Sequence, residues 1–239
     1  MSRGRIVMLL HKSVEHDSRV RREASTLAEA GLEVIVLELA PVPAGAEQLD
    51  GFRRVSALPP GRLSRLPARA RQALGVVWFV VRTVRSRPDV VHAHDAAMLV
   101  PALVAARIAR VPFVYDSHEL ATAVPYRERE WAALVGAIER ICVPRAAAVI
   151  TVSAGIAERL KERYRMRRAP VVLRNVSALS ARAQRSQLRE RLGLQHAPVV
   201  LHQGAAAPGR GCLTLVRALA LLPGVHLVFL GSGMGSVDA

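Results

Sequence analysis

At 239 residues the chain has room for one large domain or one and a half smaller ones, and its 51% apolar and 22% charged residues fit a globular protein. The formal charge of +15 is almost wholly arginine, since Lys12 and Lys161 are the only lysines, and such a field favours phosphate-bearing partners. Cys142 and Cys212 show no CxxC spacing, which argues against a disulfide framework or a cysteine-held zinc, and four Phe, three Tyr and two Trp that never interleave with the arginines argue against nucleic-acid binding.

The first apolar run, Ile6–Leu10, is shorter than a signal-peptide core and no small-residue cleavage site follows it. Arg5–Leu10 reads as a strand, and a helix with the stripe Val20, Ala24, Leu27 and Ala28 follows, ended by Gly31 as a C-cap. Asp17 is its expected N-cap, with Arg19, Arg22 and Glu23 on the face opposite the stripe. Further strands are expected over Glu33–Leu39, Arg53–Ala57, Val90–Ala93, Phe113–Asp116, Ala148–Val152 and Val171–Arg174. Between the third and fourth of these seven strands, Leu63, Leu66, Ala70, Leu74, Val77, Val81 and Val84 follow helical spacing. Arg62, Arg65, Arg69, Arg82 and Arg85 flank that stripe, and between Gly51 and Pro88 nine arginines meet no acidic residue. The longest apolar runs, Ala73–Val81 and Ala96–Ala106, fall short of the ~20 residues that span a bilayer. The expectation is a cytoplasmic protein, peripheral at the inner face of an anionic membrane through these arginines. Ser153 is placed to cap a helix carrying Ile156, Leu160 and Tyr164. A polar stretch, Ser177–Gln195, precedes a renewed β-α-β pattern over Val199–Gln203, Leu213–Leu222 and His226–Gly231.

Strands alternating with helices predict an α/β fold, a Rossmann-like parallel sheet flanked by helices, with a first domain over residues 1–178 and an incomplete second α/β domain over 179–239. In such sheets ligands bind beyond the carboxyl ends of the strands. The residues there are His11 to Glu23 after the first strand, His92-Ala-His94-Asp95 after the fourth, Asp116-Ser-His118-Glu119 after the fifth, Thr151-Val-Ser153 after the sixth and Asn175 after the seventh. Polar groups at five strand ends converge on one edge and predict a site. Gly231-Ser-Gly233-Met-Gly235 lacks the GxGxxG spacing of a dinucleotide fingerprint and carries little weight.

Residues 17–24 with Leu27 and Gly31–Val34, residues 88–95, residues 114–120, Ala148–Ser153, Val171–Asn175 and Gln203–Leu215 resemble, in order and spacing, successive pieces of the group 1, or family 4, retaining glycosyltransferases of the GT-B fold. The resemblance implies transfer of a sugar from a nucleotide-diphosphate sugar to a glycan or lipid-linked acceptor, with retained configuration and without a metal or other cofactor. His118 would be the catalytic residue, hydrogen-bonding the transferred sugar. Asp17, Arg19, Glu23, His94, Asp95, Asp116, Glu119, Ser153 and Asn175 would line the acceptor side, and Gly204 and Arg210 would meet the donor. Ala205 stands where the family commonly has a second basic residue, and the family's paired-glutamate motif has no counterpart after Gly231, so the chain as it stands is expected to be inactive in transfer. Two other readings stay open: a metal-dependent hydrolase using His92, His94 and His118, and a non-catalytic remnant that binds an acceptor or a membrane.

Overall fold

The computed structural model describes residues 4–57, 68–123, 129–176, 187–206, 209–231 and 233. It divides the chain into two compact units, Met1–Val176 and Ser177–Ala239.

The first unit is built on an eight-stranded sheet in the order β3-β4-β2-β1-β5-β6-β7-β8. Its strands are β1 (Arg5–Leu10), β2 (Glu33–Glu38), β3 (Gln48–Leu49), β4 (Phe52–Ser56), β5 (Val90–His94), β6 (Phe113–Ser117), β7 (Ala148–Thr151) and β8 (Val171–Val172). All neighbours pair in parallel except β3, which turns back antiparallel on β4. The mixed α/β sheet is the expected Rossmann-like architecture. It has one strand more than expected, because the short β3 has no apolar run, and β8 is cut to two exposed residues. Helices α1 (Ser18–Glu29), α2 (Ala68–Arg85), α3 (Leu99–Ala109), α4 (Arg129–Cys142) and α5 (Ala154–Arg163) make the connections. Leu63 and Leu66, expected to open the α2 stripe, lie outside the described residues, as do Arg62 and Arg65.

Alternation along the strands divides the core into two layers. Val7, Leu9, Val91, Ala93, Phe113 and Tyr115 point to the layer where Phe79 of α2, Leu99 of α3, Val135 of α4 and Leu160 of α5 pack. Met8, Leu10, Val34, Val36 and Phe52 point the other way, against Val20 and Ala24 of α1. Burial on both faces explains why these strands read as continuous apolar runs. Each fully buried valine or leucine contributes about 1.5–3 kcal/mol relative to leaving it in water.

Helix α1 starts where the Asp17 carboxylate accepts from the Arg19 and Val20 amides at 3.2 and 3.1 Å, and it ends at Ala30, after which Gly31 takes φ 87°. A buried network fixes the loop before it. Arg54, 1% exposed, pairs with Glu38 at 2.8 Å, while the other Glu38 oxygen accepts from the Val14 amide at 2.7 Å and Arg54 reaches Glu15 at 2.7 Å. The chain runs from β1 to β2 on one side and later returns to β5 on the other side of β1. The sheet therefore changes winding direction between β1 and β5, and it opens there at its carboxyl edge.

The second unit contains α6 (Gln187–Leu192), β9 (Val199–Gln203), α7 (Cys212–Leu219) and β10 (His226–Leu230), with β9 and β10 parallel. Leu201 and Leu230 are exposed, Leu215 and Val228 half-buried. The glycines that resembled a fingerprint have a packing reason instead. A Cβ on Gly231 would lie 2.0 Å from the Gly204 carbonyl oxygen, and one on Gly233 2.6 Å from that of Ala206, so both admit a close backbone crossing.

Candidate active site

At the winding change, β5 and β6 present His92, His94 and Asp116 to the face that carries α1, because their register sets Met8 beside His92 and His94 beside Asp116. Asp116 is fully buried. Arg19 of α1 donates to both of its oxygens, Nε to Oδ2 and Nη2 to Oδ1, each at 2.8 Å, and uses Nη1 on the Leu173 carbonyl at 2.6 Å. Such a bidentate fork is among the stronger charge-assisted pairings. Arg19 and Glu23 therefore point inward, 3.1 Å apart.

His118, at the end of β6, joins the carboxylates. Its Nε2 lies 3.1 Å from Asp116 Oδ2, and its Nδ1 lies 3.4 Å from Asp95 Oδ1 and 3.9 Å from Asp17 Oδ2. His94 Nδ1 approaches the same Asp116 oxygen at 3.5 Å and His118 Nε2 at 3.3 Å, so two imidazole N–H groups converge on one acceptor. Burial pushes the Asp116 carboxyl up, but hydrogen bonds from His118, His94 and Arg19 outweigh it and hold it well below the usual carboxylate range. Burial lowers the His118 imidazole, yet Asp116 and Asp95 more than compensate and leave it raised. For fully buried His94, burial outweighs the pull of Asp116 and lowers the imidazole. Burial, and then the negative Asp116, push the Glu23 carboxyl up to about 8.

Asp95 has φ 64° and ψ 161°, a conformation non-glycine residues avoid, held by its amide on the Asp116 carbonyl at 3.0 Å. Backbone of this kind costs on the order of 1–3 kcal/mol and concentrates at functional sites. Beside it a cavity of about 340 Å³ is lined by His11, Lys12, Asp95, His118, Glu119 and Trp131. Lys12 reaches Asp17 at 3.0 Å, and His11 lies 3.8 Å from Asp95. A second cavity, of about 390 Å³, lies on the other side of His94 and includes Glu23, His92, Leu27, Val114 and Ile150 in its wall.

The structure thus brings together Asp17, Arg19, Glu23, His94, Asp95, Asp116 and His118. Glu119 is exposed at the cavity rim, and its carbonyl accepts from Ser117 at 2.8 Å. Asn175 lies at the periphery, accepting from Arg22 at 2.6 Å. Ser153 makes none of the described contacts of the cluster; its hydroxyl accepts from the Ile156 amide at 3.3 Å and caps α5, as the helix signal also predicted. Potential metal ligands gather as Glu23, His92, His94 and Asp116, a set that leaves out His118 and so departs from the three-histidine hydrolase arrangement. His11 and Lys12 fall in the strand-end segment marked from sequence, though no role was assigned to them, whereas nothing in the spacing around Trp131 marks it. In the second unit, Arg210 comes close to Gly204, whose Cβ position lies 3.8 Å from the guanidinium, and Gly209 and Gly211 take φ of 81° and 73° around it.

The profile of Glycosyltransferase Family 4 matches residues 18–175. A comparison with curated proteins found no match. Among solved structures the chain is similar to sucrose-phosphate synthase from Thermosynechococcus elongatus, at 18% identity and a TM-score of 0.71 over 95% of this chain and 62% of that one. It is also similar to HepE of Anabaena in complex with UDP-glucose, at 20% identity and a TM-score of 0.68 over 98% and 62% of the two chains. SnogD, a glycosyltransferase from Streptomyces nogalater, matches at 17% identity and a TM-score of 0.55 over 97% and 67%. The chain therefore spans about 62% of the length of the first two of these proteins. Identities this low speak for a shared GT-B fold alone, while the profile covers most of the first unit and the strand ends that build the site. On that match the chain belongs to Glycosyltransferase Family 4.

Proposed function

We propose that this chain supplies the acceptor-side domain and the opening of the donor-side domain of an enzyme that transfers a sugar from a nucleotide-diphosphate sugar to a glycan or lipid-linked acceptor, with retained anomeric configuration. The observation that carries the reading is His118 held between Asp95 and Asp116 at the mouth of the cavity that also contains Trp131. Carbohydrates expose hydroxyls at their edges and C–H groups on their faces. A wall of carboxylate, imidazole and ammonium groups opposite an indole matches both. The anion-rich cluster around His118 suits a sugar that gains positive charge as its bond to the diphosphate breaks. His118 contributes a fixed N–H to a sugar hydroxyl, with Asp116 orienting the ring from behind. Arg210, in a glycine-flanked loop before α7, is the group for the departing diphosphate, so no metal is needed there. HepE binds UDP-glucose, which is in line with a nucleotide-sugar donor here.

The test is sugar transfer by the protein expressed from its complete reading frame. His118→Ala should lower turnover by ~10²–10³, the scale for removing one preorganised donor. The product should keep the donor's anomeric configuration by NMR, and added Mg²⁺ should not raise the rate. Undiminished turnover in His118→Ala, or an inverted product, would overturn the reading.

A further inference from the structure

We propose that Glu23, His92 and His94, backed by Asp116, form a binding site for a late first-row divalent cation, zinc foremost, on the α1 side of the sheet. The inference is independent of the transfer reading.

His92 and His94 lie two residues apart on β5 and so project from the same face, with ring centroids 4.2 Å apart. They are 5% and 0% exposed, and neither Nε2 has a hydrogen-bond partner among the described residues. Two buried imidazole nitrogens without partners are costly, and such groups call for an explanation. Glu23 supplies the third ligand from α1, its carboxylate 3.1 Å from Arg19 and beside the negative Asp116. Potential ligand atoms of Glu23, His92, His94 and Asp116 lie within 4.8 Å of one another. Tetrahedral zinc holds neighbouring nitrogen and oxygen ligands about 3.4 Å apart, as bond lengths of ~2.0–2.1 Å require. The set must contract by up to about 1.4 Å, and Glu23, which borders the larger cavity, is the member placed to move.

Asp116 is better placed behind the site than in it, because Arg19 already occupies both of its oxygens. Its Oδ2 faces His94 Nδ1 at 3.5 Å. A carboxylate on one nitrogen fixes the proton there and leaves the lone pair on the other, the arrangement that orients histidines on metals. Two imidazoles and a carboxylate are a ligand set suited to zinc more than to magnesium or calcium, which prefer oxygen. The cation's charge would also relieve two carboxylates that share one arginine. The cavity beside Glu23 and His92 provides a way in. Once bound, the ion would hold the His94 proton on Nδ1, toward the oxygen that His118 also uses.

The experiment uses the untagged 239-residue chain, stripped with a chelator, dialysed and titrated with Zn²⁺. Binding is followed by competition with a chromophoric chelator and by elemental analysis. About one equivalent should bind, X-ray absorption should show two imidazoles in the first shell, and the melting temperature should rise with zinc. His92→Asn and Glu23→Gln should each weaken binding by at least ~10-fold, ligand loss being no milder than loss of an outer-shell partner. If His92→Asn does not fold, Glu23→Gln and the absorption spectrum decide alone. Substoichiometric binding would overturn the proposal, as would zinc retained unchanged in Glu23→Gln or a first shell without paired imidazoles, since one of the six other histidines, His11, His16, His118, His196, His202 or His226, would then account for it.

Discussion

Two buried arginine–carboxylate pairs stand on the same face of one sheet and do different things. Arg54 and Glu38 join β4 to β2, and Arg19 and Asp116 join α1 to β6. Both arginines are nearly fully buried; Arg54 and Glu38 hold the segment between β1 and α1, whereas Arg19 ties α1 to β6 and to the Leu173 carbonyl. Around Arg54 the contacts run to Glu38, which also takes the loop amide of Val14, and to Glu15 at the surface, with neither of the two site cavities among them. Around Asp116 the contacts open onto His94, His118 and two cavities. A buried ion pair by itself marks neither stability nor function. The difference lies in whether its neighbours are used up.

The largest expected effect comes from breaking the closed pair. Arg54→Ala leaves Glu38 buried without its cation and should cost about 3–5 kcal/mol of stability, measured by urea unfolding. Replacing both partners, Arg54→Met with Glu38→Leu, should recover most of that loss or exceed the wild type by about 1–4 kcal/mol. If the double replacement unfolds as readily as the single one, the network is fixing the Ser13–His16 loop more than balancing charge. Arg19→Ala should cost a similar amount and abolish transfer as well, and no apolar pair at 19 and 116 should restore transfer even where it restores the fold.

His118→Ala sharpens the contrast from the other side. It removes a mostly buried ring from a cluster that keeps Arg19, and should cost about 1–3 kcal/mol of stability, less than Arg54→Ala, against a loss of ~10²–10³ in turnover of the complete protein. A large fall in melting temperature would place His118 with Arg54 as a structural group. Trp131→Ala should raise the KM for acceptor more than it lowers kcat, because stacking on a sugar face is made in ground and transition state alike.

A third buried carboxylate has no cationic partner among the described residues. Glu139 accepts hydrogen bonds from the Tyr115 and Tyr164 hydroxyls, at 2.9 and 2.6 Å. Burial, and then Glu139, push both phenols above their ordinary range. A phenol raised in the folded state favours folding while it stays protonated. This contribution is complete below the unfolded tyrosine pKa of about 10 and is lost as pH rises through the folded value. Unfolding free energy should therefore decline above about pH 10, and Tyr164→Phe should make the alkaline limb shallower. An equal slope in the variant would show that other groups carry the alkaline sensitivity.

Strand positions were readable because strands buried on both faces leave continuous apolar runs, as in Ile6–Leu10 and Val34–Leu37. Gln48–Leu49 was not readable, since two residues pairing antiparallel at an edge have no periodicity. The strand-end rule found His118, Asp95 and Asp116 without knowledge of their partners. It could not find that Arg19 reaches Asp116 across 97 residues, or that Glu23 of α1 lies beside His92 of β5, because both depend on how a helix face meets a sheet. Ser153 sits at a strand end too, but its hydroxyl is spent on a helix cap, so position alone did not distinguish a ligand group from a structural one.

The smallest expected effect concerns the arginines beyond the site. Of those flanking the α2 stripe, Arg82 is half-buried with a guanidinium 3.3 Å from the Ser56 carbonyl, while Arg85 is exposed. Leu74 and Val77 are exposed on the same helix, at 40% and 56%, although Phe79 and Val80 are buried in the core. The helix therefore presents both apolar surface and positive charge to solvent, the combination that anionic bilayer surfaces attract. Each arginine near such a surface is worth ~1 kcal/mol, which is about fivefold in partitioning. Arg85→Gln should weaken binding to phosphatidylserine-containing vesicles by about that factor. Arg82→Gln should do less, because its guanidinium is already held. Wild-type binding should fall steeply with added salt and be absent on neutral vesicles. Equal binding to both vesicle types, or binding that ignores salt, would remove charge from the account and leave the exposed leucine and valine as the whole of the contact.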